Sequence, residues 1–297
     1  MRSAFPFKVK VSDEYLRAII ACALCEDIPR RDLTTELTVK PGARASAVLL
    51  TREAGVAAGL GVFAAVFKVL DPTVSVRTRA KAEGKWFGRG ESLAHVQGPA
   101  RSILSGERVA LNFVQRLSGI ATLTRRFVER VEGTGVRILD TRKTTPGLRA
   151  LEKYAVTVGG GFNHRPNLSD LVLIKDNHIA AAGGIREAVA RVRKAKPKVP
   201  FEVEVAPGVD AASLRDLDID ILMFDNWKPG PLKAAIREVR RFPSKPLVEV
   251  SGRIRLANVR EFALARPDFI SVGCLTHSAP ALDLGLDFER AERHGGP

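Results

Sequence analysis

Short apolar runs recur through the second half of the chain, and each has a polar or charged residue at or just past its end. VRILD leads to Arg142 and Lys143, and LVLIK ends on Lys175. FEVEV contains Glu204, and ILMFD ends on Asp225. LVEV leads to Ser251 and Gly252, and FISVG ends on Gly273. Runs of this length, bounded by turn residues, read as buried strands. IREAVARVRKA, PLKAAIREVRR and LANVREFALA have helical period and separate several of them. Strands alternating with helices predict parallel βα units. Polar residues at the carboxyl ends of successive strands are where β/α barrels carry their sites. Six such strands follow Gly135 rather than eight. An incomplete barrel therefore fits better than a full one. A doubly wound open sheet, which also places ligands at strand ends, is the alternative.

The first part of the chain has another pattern. Ser12 can cap a helix that carries Asp13 and Glu14 in its first turn and runs to about Glu26. Asp32-Leu33-Thr34-Thr35 reads as a polar turn. Residues 44–60 alternate and read as strand, turn, strand, and GVFAAVFKVL reads as a short helix. Residues 73–98 are more β, broken by Gly84, Gly88 and Gly90, and Gly98-Pro99 closes this sheet-rich part. Residues 102–131 are helical in period, with Gly106 and Gly119 as candidate breaks and Arg108 near the start. This segment reads as the connector between two domains. LDLGLDFE, near the end, alternates like an edge strand.

Composition narrows the class. The chain has 297 residues, 45% of them hydrophobic, enough for a substantial core. No apolar run approaches the ~20 residues needed to span a bilayer, and MRSAFPFKVKVSDEYL lacks a signal-peptide pattern. A cytoplasmic enzyme with no membrane partner is expected. Three cysteines argue against a disulfide framework. Cys22 and Cys25, a lone CxxC in a helical segment, are expected to be small buried core residues. The net charge of +14 suits a phosphate-bearing substrate, and it also suits nucleic acid. No helix-turn-helix, zinc-finger or RNA-recognition signature accompanies it, and aromatics are only 6%, so nucleic acid is not the expected partner.

Three clusters that mix cations with hydrogen-bonding side chains stand between Asp140 and Ile179. Thr141-Arg142-Lys143, Asn163-His164-Arg165 and Lys175-Asp176-Asn177-His178 each follow a turn or an apolar run. Cations at segment ends suggest a pocket for a ligand with several negative charges. Glu204 and Asp225, acids among those cations, can accept ribose hydroxyls, bind magnesium directly or through water, or stabilise developing positive charge. Backbone N–H groups around Ser251-Gly252 and Gly273 can cradle a phosphate.

DTRKTTPGLR, KYAV, GGGFNHR and LIKDNHI together resemble the quinolinate phosphoribosyltransferase family, the decarboxylating enzymes of NAD synthesis. Agreement runs from about Asp32 to Leu286. A molybdenum-locus relative shares the first motif but usually lacks KDNH, so the intact LIKDNH favours the quinolinate enzyme. The resemblance implies an incomplete barrel at 116–275 and an α/β sandwich domain at 1–115, to which about 276–297 returns. It assigns Arg142, Arg165 and Arg108 to quinolinate, with His164 as a supporting donor and Thr141 beside them. Lys143 and Lys175 fall toward phosphoribosyl pyrophosphate and the reacting carboxylate, and magnesium is the expected metal. It also implies a homodimer, or a hexamer built of dimers, with Arg108 reaching the neighbouring subunit's site. Arg253 departs from the family, which usually has a second glycine there.

Overall fold

The structure is a computed structural model and describes residues 6, 7, 9–79 and 82–289. In chain order the elements are α1 (Asp13–Asp27), α2 (Leu33–Thr38), β1 (Arg44–Thr51), β2 (Gly55–Val56), α3 (Leu60–Leu70), β3 (Ser75–Thr78), β4 (Trp86–Phe87), β5 (Ser92–Pro99) and α4 (Ala100–Arg130). Then come β6 (Arg137–Leu139), α5 (Arg149–Val158), β7 (Val172–Ile174), α6 (Asp176–Ala182), α7 (Ile185–Ala195), β8 (Phe201–Val205), β9 (Ile221–Asp225) and α8 (Pro229–Val239). The chain finishes with β10 (Leu247–Ser251), α9 (Val259–Ala263), β11 (Phe269–Ser271), α10 (Cys274–His277) and β12 (Leu284–Phe288). No helix among the described residues is long and apolar enough to cross a membrane.

The chain forms two units. One comprises Lys10–Leu123, Thr145–Gly160 and Ala279–Pro297. Its main sheet is antiparallel, in the order β12-β1-β5-β3. LDLGLDFE supplies the edge strand β12, with Leu284 and Leu286 turned inward. Ser12 caps α1 by accepting from the Tyr15 N–H at 3.2 Å. That helix buries Ile20 and Leu24 on one face, so Cys22 and Cys25 are exposed rather than core residues. The polar turn expected at Asp32 is the start of a helix, because the Asp32 carboxylate accepts from the Thr35 N–H and caps α2.

Gly106 and Gly119 do not break α4, which runs for 31 residues. Their small size serves packing instead. A Cβ on Gly119 would lie 1.9 Å from the Pro280 carbonyl oxygen, and one on Gly106 would lie 3.0 Å from the Phe67 ring. The helical cost of glycine, about 1 kcal/mol against alanine, is offset by that close approach.

The other unit comprises Met1–Val9, Thr124–Thr144 and Gly161–Ser278. Its six strands run parallel in the order β6-β11-β10-β9-β8-β7, an incomplete β/α barrel. The edge strand β6 is extended by a bridge between Leu139 and Phe162, and Phe7 bridges Asn163. Side chains alternate across each strand. Val203, Leu222, Phe224, Val248, Val250 and Ile270 are buried on one face. The opposite face carries Ile221 and Met223 in an apolar cluster with Leu139, Leu173 and Phe269. In register with that cluster the same face also carries Glu202, Glu249 and Ser271, fully or nearly fully buried. Glu204 is the penultimate residue of β8, and Asp225 and Ser251 end β9 and β10.

Candidate active site

Parallel register brings the strand ends level. Ile174 is the partner of Val203, so Lys175 leaves β7 beside Glu204 of β8. The Lys175 Nζ donates to Glu204 Oε2 at 2.7 Å, with the lysine side chain 44% exposed and the glutamate 15%. The Lys175 backbone N–H donates to His178 Nδ1 at 3.0 Å, which fixes the start of α6. Ser251 is the partner of Asp225 in β10 and β9. Asp225 accepts from Asn226 Nδ2 at 2.5 Å, and the Asn226 N–H donates to the Ser251 carbonyl at 2.9 Å.

The turn after β10 is built for close backbone approach. Gly252 has φ +92°, and a Cβ there would lie 2.5 Å from the Asn226 backbone nitrogen. Only glycine fits without moving backbone. Arg253 follows with φ 53°, still in the left-handed region, and its carbonyl accepts from Asn258 Nδ2 at 3.2 Å. The aliphatic stem of Lys143 runs beside Gly273, where a Cβ would meet Lys143 Cδ at 3.3 Å. Thr276 Oγ1 donates to the Lys143 carbonyl at 2.7 Å. Thr141 Oγ1 accepts from the Lys143 N–H at 3.0 Å, so the threonine shapes the turn that carries the lysine.

Beneath these groups lies a buried layer. Asp140, fully buried at the end of β6, accepts from Asn163 Nδ2 at 2.7 Å and from the His164 N–H at 2.9 Å. These bonds tie the Asn163–Arg165 strap to the sheet. His164 Nδ1 accepts from the Arg165 N–H at 2.7 Å. His164 Nε2 stands 3.1 Å from Glu202 Oε2 and 3.5 Å from Glu249 Oε1. Ser271 Oγ donates to Glu249 Oε1. Arg165 is buried and donates from one guanidinium nitrogen to the Leu171 carbonyl at 2.9 Å. Its pKa is lowered, first by burial and then by the nearby charge of Arg142. Arg142 and Arg165 are thus electrostatic neighbours.

Burial pushes the carboxyls of Glu202 and Glu249 up from their ordinary 4.5 to about 8. The charge of Glu202 raises Glu249 further, while Arg165 opposes the rise at Glu202. The folded state therefore binds these protons more tightly than the unfolded chain. The stabilising contribution is complete below the unfolded value, near 4.5, and is lost as pH rises toward about 8. Among the described residues, the charges of Glu202 and Glu204 raise Glu249 and that of His164 opposes the rise. The melting temperature of the Glu249→Gln variant should therefore fall less than that of the wild type between about pH 6 and pH 9. Scanning fluorimetry of both proteins across that range measures the difference. Parallel curves would contradict the assignment.

The barrel unit thus gathers Lys175, Glu204, Asp225, Ser251 and Gly252 at neighbouring strand ends, with Lys143 beside Gly273 and Arg165 close to Arg142. Arg108 lies on α4 in the other unit and is exposed. Asp140, Glu202 and Glu249 do not stand out as site residues in the sequence pattern. A signal for Glu202 was present, since it precedes Glu204 by two residues and shares its face of the strand. Glu249 sits in an apolar run in the same way.

Comparison with known proteins gives a consistent picture. Residues 32–118 match the quinolinate phosphoribosyl transferase N-terminal domain, and residues 120–287 match the C-terminal domain of the same family. The chain is 40% identical over 273 residues to a probable nicotinate-nucleotide pyrophosphorylase (carboxylating) of Bacillus subtilis, covering 92% of this chain and 93% of that protein. It is 41% identical to the nicotinate-nucleotide pyrophosphorylase (carboxylating) of Mycobacterium leprae, covering 91% and 96% respectively. Among solved structures, NadC from Streptococcus pyogenes superposes with a TM-score of 0.87 at 38% identity, covering 95% of this chain and all of that one.

Proposed function

The chain belongs to the quinolinate phosphoribosyltransferase family, and from that premise we propose how its own residues carry the family's reaction. The enzyme transfers phosphoribosyl from phosphoribosyl pyrophosphate to quinolinate with decarboxylation, in NAD biosynthesis. The pyridine nitrogen attacks C1 of the ribose, and pyrophosphate leaves with the bonding electrons. The ring nitrogen becomes cationic. Loss of the C2 carboxylate as carbon dioxide leaves its electron pair on C2, beside that cation, and a proton from water completes nicotinate mononucleotide. No covalent enzyme intermediate is required, so positioning and electrostatics are the protein's contribution.

The single observation that carries the assignment is the Lys175–Glu204 pair at the ends of β7 and β8, 2.7 Å apart and reachable from solvent. Lys175 supplies positive charge where the carboxylate and the pyrophosphate converge. Glu204 and Asp225 supply negative charge for the oxocarbenium-like sugar. Arg142 and Arg165, with Arg108, take the two ring carboxylates, because a guanidinium pairs bidentately with a planar carboxylate. The Gly252 turn gives backbone room for a phosphate.

Magnesium fits the donor set. Glu204 and Asp225 each use one oxygen in the bonds described above, and carboxylate oxygens are the hard donors it prefers. When bound, magnesium neutralises charge on the departing pyrophosphate. The enzyme is read as a homodimer or a dimer-based hexamer working in the cytoplasm. The test is product identity. Quinolinate with phosphoribosyl pyrophosphate and magnesium should give nicotinate mononucleotide, and a purified, folded protein that forms none refutes the reading.

A further inference from the structure

We propose that Glu202 and Glu249 are positioning residues for the substrate site: they hold the His164 imidazole, and through it the backbone of Arg165, in the geometry the ring carboxylates require. This rests on the reading of the site as a quinolinate phosphoribosyltransferase. The argument starts from the ring nitrogens. His164 Nδ1 accepts from the Arg165 N–H at 2.7 Å, so it carries no proton. The ring proton then sits on Nε2, which faces Glu202 Oε2 at 3.1 Å and Glu249 Oε1 at 3.5 Å. The imidazole is 5% exposed. It forms a continuous bridge from the Arg165 backbone to two carboxyl groups inside the barrel.

Two carboxyl groups placed in a barrel interior oppose folding unless they hold something in place. Apolar residues of similar size would pack as well, as Met223 and Phe269 do nearby. Glu202 Oε1 and Glu249 Oε2 are buried without a hydrogen-bond partner among the described residues, so the site keeps costs that packing alone would not select. The return is rigidity in the strap. Asp140 fixes it from the β6 side, through Asn163 and the His164 N–H. Glu202 and Glu249 fix it from the β8 and β10 side, through the imidazole. Arg165 lies in this strap, between the two anchors and the Leu171 carbonyl. A guanidinium fork must be held closely to pair with a planar carboxylate, and a tether at its own backbone N–H does that.

The test has two parts. Nitrogen-15 NMR of the resting, substrate-free protein reads the His164 tautomer directly. The proposal expects the proton on Nε2, and a proton on Nδ1 overturns it. This measurement needs neither turnover nor a variant, so it stands even if the assigned reaction fails.

The second part compares Glu249→Leu with Glu249→Gln in steady-state kinetics. Leucine removes, at similar volume, the carboxyl oxygen that lies 3.5 Å from Nε2, whereas glutamine keeps a carbonyl oxygen. The KM for quinolinate should rise about tenfold or more in the leucine variant, with the KM for phosphoribosyl pyrophosphate changing much less, and glutamine should recover a large part of the loss. Equal effects on both substrates, or glutamine as damaging as leucine, would overturn the positioning role. A divalent metal that copurifies at one per chain and disappears in Glu249→Gln would also overturn it, by making the trio a metal centre.

Discussion

Lys175→Ala should lower kcat/KM by about two to three orders of magnitude while the protein stays folded, the effect of removing one preorganised charge from a transition state. The fold is expected to survive because the lysine side chain is 44% exposed and its backbone bond to His178 is independent of the side chain. The loss is expected to be large because Nζ sits against Glu204, the carboxylate proposed above to face the ribose. Lys175→Ala also leaves Glu204 without its cation, an added cost at a side chain only 15% exposed. Circular dichroism and melting temperature check the fold, and initial rates check the chemistry. A folded variant with activity within about threefold of wild type would remove Lys175 from the transition state.

Two inactive proteins should make an active mixture. Arg108 lies on α4, outside the barrel unit, whereas Lys143 leaves barrel strand β6. If Arg108 serves the neighbouring subunit, Arg108→Ala and Lys143→Ala subunits complement each other. In a mixed dimer, the barrel of the Arg108→Ala subunit keeps Lys143 and borrows an intact Arg108. The other site carries both lesions. Random pairing makes about half the dimers mixed, so about a quarter of wild-type activity should return. If each subunit used its own Arg108, every site would keep one lesion. Confirmed subunit exchange with no recovery would then refute a shared site.

Much of the barrel was legible because parallel strands buried on both faces write themselves as apolar runs. ILMFD and LVEV became β9 and β10, with Asp225 and Ser251 in register at their ends. What failed was information that only tertiary contact holds. Gly106 and Gly119 look like helix breaks, yet their reason lies in Phe67 and Pro280, distant in sequence. Cys22 and Cys25 look like core residues by type, but Ile20 and Leu24 set which face of α1 is buried. Asp32 looks like a turn residue because a six-residue helix is too short to show a period.

The site was legible in part for the same reason. Charged residues at strand ends stand out against an apolar run, as Lys175 and Glu204 do. Glu202 and Glu249 do not stand out as a pair, because they lie on different strands and their meeting at His164 follows from barrel closure. Asp140 sits beside the basic cluster in sequence, but its work is to hold the strap two dozen residues away.

The most direct test follows the carbon that leaves. Quinolinate labelled with carbon-13 in its C2 carboxyl group is incubated with phosphoribosyl pyrophosphate, magnesium and the purified enzyme, with nicotinate in a parallel reaction. Mass spectrometry should find unlabelled nicotinate mononucleotide and an equal amount of labelled carbon dioxide. The nicotinate reaction should be far slower, because a monocarboxylate forgoes one of the two carboxylate–guanidinium pairings proposed for a site that includes the buried Arg165, at about 1–3 kcal/mol or more. Label retained in the nucleotide, or equal turnover of nicotinate, would contradict the account.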